Sequence, residues 1–394
     1  MSATPPRRLY LDACATSPPA AAVLAAMAKV QAEAWGNPSS LHGYGLEAAE
    51  ALERARWRAA AVLGSQPDEL VFTSGGSEAI HLGLLGAAAH LEPGRLLISS
   101  VEHPATEAAA RQLQQRGWQL QRLPVDRLGL LQLEALERAL EPPTRLVSLI
   151  WGQSEVGSLQ PLAAIGGLCR QAGVVLHVDA VQVVGHQPIA FADLPVDLLS
   201  LAGHKLQGPR GIGALLVRRG LPLQAQIGGG GQEAGRRSGT EPVALAAGLA
   251  LALELAQQRL AAGGGRDPLA DQRDHLWQAL QALPGLRLSG PDPLRQPAAR
   301  LPHHLSLLVD GPAGPLAGRD LVRALWAEGL AASSGSACSS SGSAASPVLL
   351  AMGYGPEEAA SGLRLSLGPW LEPTDLAAVP ERLQRARQRL AASP

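Results

Sequence analysis

The stretch Val174-Val175-Leu176-His177-Val178-Asp179-Ala180-Val181-Gln182 gives the clearest indication of the fold. A short apolar run ends in an acid, which is typical of a buried strand in an α/β sheet. The next apolar run, 197–201, leads into Gly203-His204-Lys205. We interpret the two runs as one β-α-β unit, so Asp179 and Lys205 are expected to face one cleft at the carboxyl ends of the strands. A strand-end Asp is more often a helix cap or turn residue, and this alternative stays open.

Similar apolar runs alternate with Ala/Leu/Gln/Arg-rich helical patterns through the first 220 residues. The other five runs are 70–72, 95–99, 119–123, 145–151 and 213–217. Alternation of this kind predicts an α/β fold with a mostly parallel, seven-stranded sheet that is covered by helices on both faces. A glycine-rich break at 261–268 precedes a second pattern: helix 269–283, strand 305–309, helix 320–328, a strand near 364–366 and a terminal helix. These elements predict a second, smaller α/β layer.

Composition excludes several classes of protein. The 394 residues are 46% hydrophobic, which is ample for a buried core, and the net charge of −1 gives no attraction to nucleic acid or to an anionic membrane. Arg7-Arg8 is not read as a twin-arginine signal, because Asp12 interrupts the apolar stretch that follows. The longest apolar run, 243–253, is too short to span a bilayer. We therefore expect a soluble cytoplasmic protein.

The chain has only two lysines, Lys29 and Lys205, among 33 basic residues. A bias this strong toward arginine should remove any lysine that serves only as a charge. Arginine cannot replace a deprotonated amine that attacks a carbonyl to form an imine. Lys205 is therefore a candidate Schiff-base lysine, although it could also be a chance survivor on the surface, as we take Lys29 to be.

Three cysteines, Cys14, Cys169 and Cys338, are widely spaced and show no C-x-x-C metal-ligand pattern. This usage predicts free thiols in a reducing compartment and no metal site. Cys338 lies in the Ser/Gly-rich stretch 333–343, which by composition is a flexible linker. A single thiol in a mobile loop would suit group transfer from a buried site to an outside acceptor.

Three further positions are candidates at the edge of the cleft. In 71–79 a strand runs into Gly75-Gly76-Ser77 and then a helix, so helix N–H groups and the Ser77 hydroxyl predict a phosphate site. An ordinary capped helix is the alternative, and the motif is neither a Walker A loop nor G-x-G-x-x-G.

His103 follows strand 95–99 and could stack on a flat cofactor or move protons. Arg364, in an apolar strand-like stretch, could pair a substrate carboxylate bidentately or could simply be a surface arginine.

Together these motifs resemble the cysteine desulfurases, pyridoxal-phosphate enzymes of the class V aminotransferase superfamily. The resemblance extends from Tyr10-Leu11-Asp12 through 36–42 to Arg364 and 366–368. Its most specific parts are 177–182, 203–205, Arg237-Ser238-Gly239-Thr240 and 333–338. The last stretch is similar to the branch in which the catalytic cysteine sits on a long loop.

The resemblance implies a fold-type I pyridoxal-phosphate transferase with a large cofactor-binding domain, 15–262. Residues 1–14 with 263–394 would form a small domain that carries the cysteine loop. It also implies a homodimer, L-cysteine as substrate and a scaffold or carrier protein as sulfur acceptor, with the sulfur going to iron–sulfur clusters or thio-cofactors.

The resemblance gives each candidate residue a role. Lys205 would hold pyridoxal 5′-phosphate as a Schiff base and move the Cα proton, and Asp179 would keep the pyridine nitrogen protonated. The thiolate of Cys338 would attack the substrate sulfur, leaving a persulfide on the enzyme and releasing alanine. Around the ring, His103 would stack on it and serve in acid–base steps, and Gln182 and Ser154 would contact its hydroxyl. Gly76, Ser77 and His204 would hold the phosphate, and Thr240 would reach the phosphate of the neighbouring subunit. Arg364 with Ser154 would bind the substrate carboxylate.

Four positions depart from the family pattern. Gln153 and Ser154 replace two asparagines, Ala202 replaces a serine that would bind phosphate, and His81 stands at a further asparagine position. A lost phosphate bond costs about 1–2 kcal/mol if nothing replaces it. The sequence stops soon after Ala391, whereas longer relatives dock a scaffold with a C-terminal extension, so that route to a partner is not expected.

Three alternatives remain open from the sequence. A selenocysteine lyase or a class V aminotransferase would use the same cofactor, and a diverged homologue without activity is also compatible with Ser154 and Ala202. Cys338 favours sulfur abstraction, because a transaminase needs no such thiol.

Overall fold

The computed structural model describes residues 7–312, 314–335 and 345–392. The strands are β1 (Leu9–Tyr10), β2 (Leu70–Thr73), β3 (Arg95–Ser99), β4 (Gln119–Leu123), β5 (Thr144–Ile150), β6 (Val175–Asp179), β7 (Leu198–Ala202), β8 (Gly213–Val217), β9 (Leu286–Leu288), β10 (His304–Gly311), β11 (Gly314–Pro315), β12 (Leu330–Ala331) and β13 (Gly362–Ser366).

The α-helices begin with α1 (Ala21–Glu33), α2 (Gly43–Leu63), α3 (Gly76–Ala88), α4 (Pro104–Gln115), α5 (Leu133–Ala139), α6 (Leu162–Ala172) and α7 (Val243–Ala262). They continue with α8 (Leu269–Leu280), α9 (Gly318–Ala327), α10 (Pro347–Ala351), α11 (Pro356–Ala360), α12 (Pro373–Ala377) and α13 (Val379–Ala392).

The large sheet confirms the α/β prediction. Its seven strands lie in the order β2-β8-β7-β6-β5-β3-β4, and each coincides with one of the seven apolar runs. The pairs from β4 to β7 are parallel, whereas β8 runs antiparallel to both β7 and β2. The parallel strands β3, β5, β6 and β7 are buried along most of their length, which explains why they are mostly apolar, whereas the edge strand β4 is mostly exposed.

The predicted β-α-β unit between Asp179 and Lys205 is wrong in one respect. β6 and β7 are adjacent and parallel, but no helix joins them. Residues 180–197 cross in a series of turns that include Gly185, in the left-handed region at φ 90°, and Pro188. Neither residue suits a helix interior, because Gly loses backbone entropy there and Pro lacks an N–H. The strand ends still lie side by side, so both residues lie at the same edge of the sheet.

A second sheet forms the smaller layer. β10 pairs antiparallel with β9, β11 and β13, and its apolar side chains pack on α8, α9 and α13. β1 pairs in parallel with β12 and adds Leu9 and Leu11 to the same core cluster. This cluster is separate from the main cluster under the large sheet. The division into 15–262 and 1–14 with 263–394 stays a prediction, which two separate cores favour.

Among the described residues, α7 is long and apolar enough to cross a membrane when judged by length and composition alone. It is longer than the apolar run 243–253 that the sequence suggested. About 61% of its most apolar window is buried inside the fold, and it packs against α1 and α2. These contacts are what a core helix makes.

Candidate active site

The carboxyl ends of β6 and β7 position the two central candidates. Asp179 ends β6, is 3% exposed, and accepts a hydrogen bond from the Val181 N–H at 2.9 Å. It therefore combines the turn role with a buried carboxylate. Lys205 follows β7 in the single 3₁₀ turn Gly203–Lys205.

The main chain of residues 14 and 15 meets Lys205. The Lys205 ammonium donates to the carbonyl oxygens of Cys14, at 2.5 Å, and Ala15, at 2.9 Å. The Gln182 amide donates to the same Cys14 oxygen at 3.0 Å. The Cys14 carbonyl oxygen therefore accepts hydrogen bonds from both Lys205 and Gln182, a contact that the sequence did not predict.

Electrostatics link His103, Asp179 and Lys205. Burial lowers the pKa of His103, with Lys205 acting in the same direction and Asp179 opposing it. Burial raises the pKa of Asp179, against the influence of His103, the Val181 N–H and Lys205. His103 also begins α4, where its Nδ1 accepts from the Ala105 N–H at 3.1 Å. The structure thus brings the predicted base, acid and lysine together at one edge of the sheet, which we call the sheet side of the site.

The start of α3 lies against the same strand ends. Gly76 is the first residue of the helix, and a Cβ placed there would be 2.9 Å from Val181 Cγ2 and 3.5 Å from Ala202 Cβ. The residue before it, Gly75, has no side chain to cap the helix. Ser77 is exposed beside it. Only glycine allows the helix N-terminus, with its N–H groups, to approach the end of the sheet this closely.

His204 lies between Lys205 and residue 16. Its Nδ1 is 3.1 Å from Thr16 Oγ1. Burial, together with the charges of Lys205 and Arg210, lowers the pKa of His204 to about 4. The ring is therefore neutral at pH 7 and can act as a hydrogen-bonding group rather than as a cation.

Gln153 and Ser154, the two residues that depart from the family pattern in the turn after β5, make different kinds of contact. Gln153 is 2% exposed; its amide donates to the Val101 carbonyl at 3.1 Å and accepts from the N–H groups of Glu155 and Val156. Its side chain therefore stabilises the turn. Ser154 offers its carbonyl oxygen, which accepts from His304 Nε2 at 3.0 Å and from Arg364 at 3.1 Å.

Arg364 reaches the site from β13 and is not a surface arginine. It is 4% exposed and pairs with Asp12 Oδ1 at 2.7 Å. Its Nε is buried and has no hydrogen-bond partner in the part of the chain that the structure describes. Arg364 and Asp12 form what we call the small-layer side of the site. A buried guanidinium with an unused N–H has donors for an incoming carboxylate.

Sequence reasoning missed an acid beside His103. Glu102 is 8% exposed; its Oε1 accepts from Ser99 Oγ at 2.5 Å and from the Ile150 N–H at 2.9 Å. Burial, with the charge of nearby Asp179 acting in the same direction, raises the pKa of Glu102 to about 8 against the hydrogen bonds from Ser99 and Ile150. Glu102 is thus protonated at neutral pH. Its position directly before His103 was the only signal, and glutamate beside a helix start is too common to single out.

Two predicted residues are not brought to this cluster. Thr240 is exposed, and among the described residues no hydrogen bond joins its side chain to the other candidates. Cys338 falls outside the described residues. The other nine predicted residues form two adjoining groups: Gly76, Ser77, His103, Asp179, Gln182, His204 and Lys205 at the strand ends, and Ser154 with Arg364 beside them.

A family comparison agrees with this geometry. The family model described as aminotransferase class-V matches residues 9–379. The chain belongs to this family.

Similar individual proteins indicate which group within this family the chain belongs to. The cysteine desulfurase IscS of Clostridium botulinum (strain Kyoto / Type A2) is 36% identical over 392 residues, covering 98% of this chain and 96% of that protein. A solved structure titled NifS-like protein has a TM-score of 0.87 at 31% identity, with 98% and 99% of the two chains covered. Another, SspA in complex with cysteine, has a TM-score of 0.79 at 30% identity, with 92% and 99% covered. Within the family the chain is an enzyme of the cysteine desulfurase group, as the sequence motifs indicated.

Proposed function

We propose that this enzyme removes sulfur from L-cysteine with pyridoxal phosphate held at the carboxyl ends of β6 and β7. The observation that carries the proposal is the pairing of a buried carboxylate, Asp179, with Lys205 at adjacent strand ends. A carboxylate and an amine at adjacent strand ends could serve two parts of a pyridine aldehyde: the ring nitrogen and the carbonyl carbon.

The described residues fit this cofactor. Asp179 is fully buried, so a cation against it would offset the cost of its charge. The close approach of Gly76 to Val181 leaves backbone N–H groups of α3 facing the strand ends, where they suit a phosphate. Ala202 offers no hydroxyl, so Ser77, His204 and helix N–H groups would bind the phosphate without it. When bound, pyridoxal phosphate supplies an electron sink for the substrate's Cα electrons.

Side chains of the enzyme itself would then transfer the Cα proton of the substrate. Lys205 would take the Cα proton of cysteine and return one to the product. His103, kept neutral by burial, can accept a proton from the substrate amine or thiol. Asp179 stays ionised when it holds the proton on the ring nitrogen, and Gln182 fixes the segment that lies over Lys205.

Arg364 would bind the substrate carboxylate. It already holds one carboxylate, Asp12, and the main-chain oxygen of Ser154, so it is oriented before substrate arrives. Its buried Nε is available within the described part of the chain. Ser154 would contribute through its backbone rather than through the amide that the family pattern usually provides.

Sulfur transfer would use Cys338. Its thiolate forms a bond to the cysteine sulfur, the substrate's Cβ–S bond breaks, and the electron pair stays with the carbon fragment, which takes up a proton and leaves as alanine. The enzyme keeps the sulfur as a persulfide. A scaffold or carrier protein for iron–sulfur or thio-cofactor assembly would accept it, in a cytoplasmic setting that keeps thiols reduced.

A homodimer would complete the site through Thr240. Several large apolar side chains are exposed: Trp35, Leu41, Tyr44, Leu46, Trp57 and Ile227. The Trp35 and Tyr44 rings lie 5.0 Å apart, and Trp57 lines a surface cleft together with Glu241, the residue after Thr240. An exposed apolar patch marks an interaction surface. Light scattering should give about twice the 40.8 kDa chain mass; a monomer at micromolar concentration would contradict the proposal.

The decisive experiment is a visible spectrum of the purified protein, followed by L-cysteine and assays for alanine and sulfide. We expect a colour in the violet region and equal amounts of alanine and transferred sulfur. Cys338→Ser should keep the colour but form no persulfide. Equal turnover in that variant would remove Cys338 from the mechanism, and a keto acid in place of alanine would identify an aminotransferase.

A further inference from the structure

Glu102 joins the ends of two neighbouring strands. Beyond the last residue of β3, Ser99, the N–H group of Ile150 in β5 donates to Glu102 Oε1 at 2.9 Å. Ser99 Oγ donates to the same oxygen at 2.5 Å. The next N–H along the chain, at Trp151, donates to the Asp179 carbonyl on the other side, at 2.9 Å. One carboxyl oxygen therefore supplies the partner that β3 no longer offers to a buried N–H group.

This contact lies directly beside the end of β6. Ile150 is the Cα partner of Asp179 in the pairing of β5 with β6, and Asp179 is the last residue of β6. Glu102 is neutral at pH 7, because its pKa is about 8. Its carboxyl group can therefore bind both donors without placing a second negative charge next to Asp179.

His103, the residue after Glu102, has no hydrogen bond of its own to the sheet within the described part of the chain. Its Nδ1 accepts from the Ala105 N–H at 3.1 Å, and its carbonyl accepts from the Thr106 N–H at 2.9 Å. Both donors belong to the first turn of α4. The position of the His103 ring relative to the strand ends therefore depends on how the start of α4 is attached to the sheet.

Glu102 is the last polar attachment before His103. The preceding one is at Val101, whose carbonyl accepts from the Gln153 amide at 3.1 Å. The main-chain groups of Glu102 make no hydrogen bond to any described residue, so its side chain alone links this position to the strands by hydrogen bonds. Apolar packing of Ala109 and its neighbours against β3 holds the body of α4 but leaves its first turn to this link.

We propose that Glu102 is a positioning residue whose carboxyl group, bound by Ser99 and the Ile150 N–H, fixes the His103 ring beside the end of β6. The inference rests on the proposed function, because it concerns the protons that His103 moves. Without this carboxyl group the Ile150 N–H loses its partner and the first turn of α4 is free to shift. Misplacing a reacting group by about 1 Å can lower a rate by about 100-fold.

The test separates the reach of the side chain from its acidity in the cofactor-loaded enzyme. Glu102→Gln keeps an oxygen at the same distance from the main chain, whereas Glu102→Asp keeps the acid but is one methylene shorter. We expect kcat for alanine release to fall about tenfold or more in Glu102→Asp and Glu102→Ala, with KM for L-cysteine changed less than about twofold. Glu102→Gln should stay within about threefold of the wild type. Glu134→Ala, at an exposed acid in α5, is the control and should equal the wild type.

A second measurement depends on neither turnover nor cofactor. Diethyl pyrocarbonate at pH 7 should modify His103 at least about threefold faster in Glu102→Asp than in the wild type or Glu102→Gln, because the loosened helix start opens more often. Mass spectrometry of the peptides measures this, with exposed His90 as the internal standard. Ser99→Ala removes one of the two donors and should have a smaller effect. Combined with Glu102→Asp it should add little, because both changes break one contact.

Several outcomes would overturn the proposal. A fast Glu102→Asp with a slow Glu102→Gln would show that the acid itself serves the reaction, and equal modification of His103 in all variants would show that Glu102 does not hold it. Additive effects of Ser99→Ala and Glu102→Asp would also contradict a shared contact. If Glu102→Ala fails to fold, the comparison of Glu102→Gln with Glu102→Asp decides. If the wild type releases no alanine from cysteine, the proposed function fails, while the modification rates still decide whether Glu102 positions His103.

Discussion

The sheet side and the small-layer side of the site are built by different means. On the sheet side, Asp179 and Lys205 stand at adjacent strand ends only 26 positions apart in the printed sequence. On the small-layer side, Asp12 and Arg364 are 352 positions apart and meet as a buried ion pair. Local strand order is enough to assemble the first, whereas the second needs two distant segments to meet across β1, β12 and β13.

The difference teaches which part of the site tolerates change. Residues at strand ends are held by the backbone of a buried sheet, so a substitution there should remove chemistry and leave the fold. The Asp12–Arg364 pair is itself part of the packing between segments, so a substitution there should affect binding and stability together. Three experiments can break or sharpen this comparison.

The largest effect is expected from Lys205→Ala on the sheet side. Losing the group that moves the Cα proton should lower alanine release by about 10²–10⁴-fold, the usual contribution of general acid–base catalysis. The melting temperature of the protein should fall only modestly, because Lys205 lies outside the apolar core and its loss removes two hydrogen bonds, to the Cys14 and Ala15 carbonyl oxygens. Single-turnover assays for alanine measure this.

Lys29→Ala is the natural control, because it removes the only other lysine, which is exposed on α1. Its turnover should equal that of the wild type. Rapid alanine release by Lys205→Ala would contradict the role of Lys205.

A smaller effect is expected from Arg364→Lys on the opposite side. The charge remains, but the forked geometry that serves Asp12, Ser154 and a substrate carboxylate is lost. One or two charge-assisted hydrogen bonds correspond to a KM for L-cysteine about 10–100-fold higher. Steady-state kinetics and the visible spectrum together test this, since the cofactor colour should persist.

The matched control is Arg323→Lys on α9, where the guanidinium is 81% exposed. It should leave KM unchanged. An unchanged KM in Arg364→Lys as well would show that the substrate carboxylate binds elsewhere.

The smallest effect concerns stability and comes from Glu102, next to the sheet side. The folded protein holds the Glu102 proton up to a pKa of about 8, whereas the ordinary value is 4.5. Between these values the unfolded chain binds fewer protons, so the free energy of unfolding falls as pH rises, by about 1.4 kcal/mol per pH unit from this group. Below pH 4.5 both states are protonated, so the slope vanishes and the stabilising contribution of this group is fully present.

Glu102→Gln mimics the protonated acid and should remove that slope. Urea unfolding at about pH 6 and about pH 7.5 measures this slope. The free energy of unfolding of Glu102→Gln, relative to that of the wild type, should be higher at about pH 7.5 than at about pH 6. Glu134→Gln, an exposed acid in α5, should follow the wild type. Parallel curves for Glu102→Gln and the wild type would show that Glu102 is not neutral in the fold.

The sequence was sufficient for the large sheet and most of its side of the site. All seven strands coincide with the predicted runs. The central parallel strands β5, β6 and β7 are buried and therefore mostly apolar, whereas the edge strand β4 mixes polar and apolar residues. The absence of a helix between β6 and β7 was not foreseen, since the number of residues alone allowed one.

Other features depend on contacts that no local pattern reveals. Nothing near Cys14 indicates that its carbonyl oxygen, and not its sulfur, meets Lys205 and Gln182. Likewise Arg364 resembles any other arginine in an arginine-rich chain until its partner Asp12 is known. Residue roles taken from the family resemblance, including those of Thr240 and Cys338, remain predictions.

The parallel pairing of β1 with β12 has a consequence for how the protein is made. A ribosome releases Leu9 and Tyr10 early, yet their strand partners Leu330 and Ala331 are among the later residues to emerge. The large sheet can form first, while this early strand waits for the end of translation. In nascent chains the small-layer side of the site therefore stays incomplete until Arg364, the partner of Asp12, has been added.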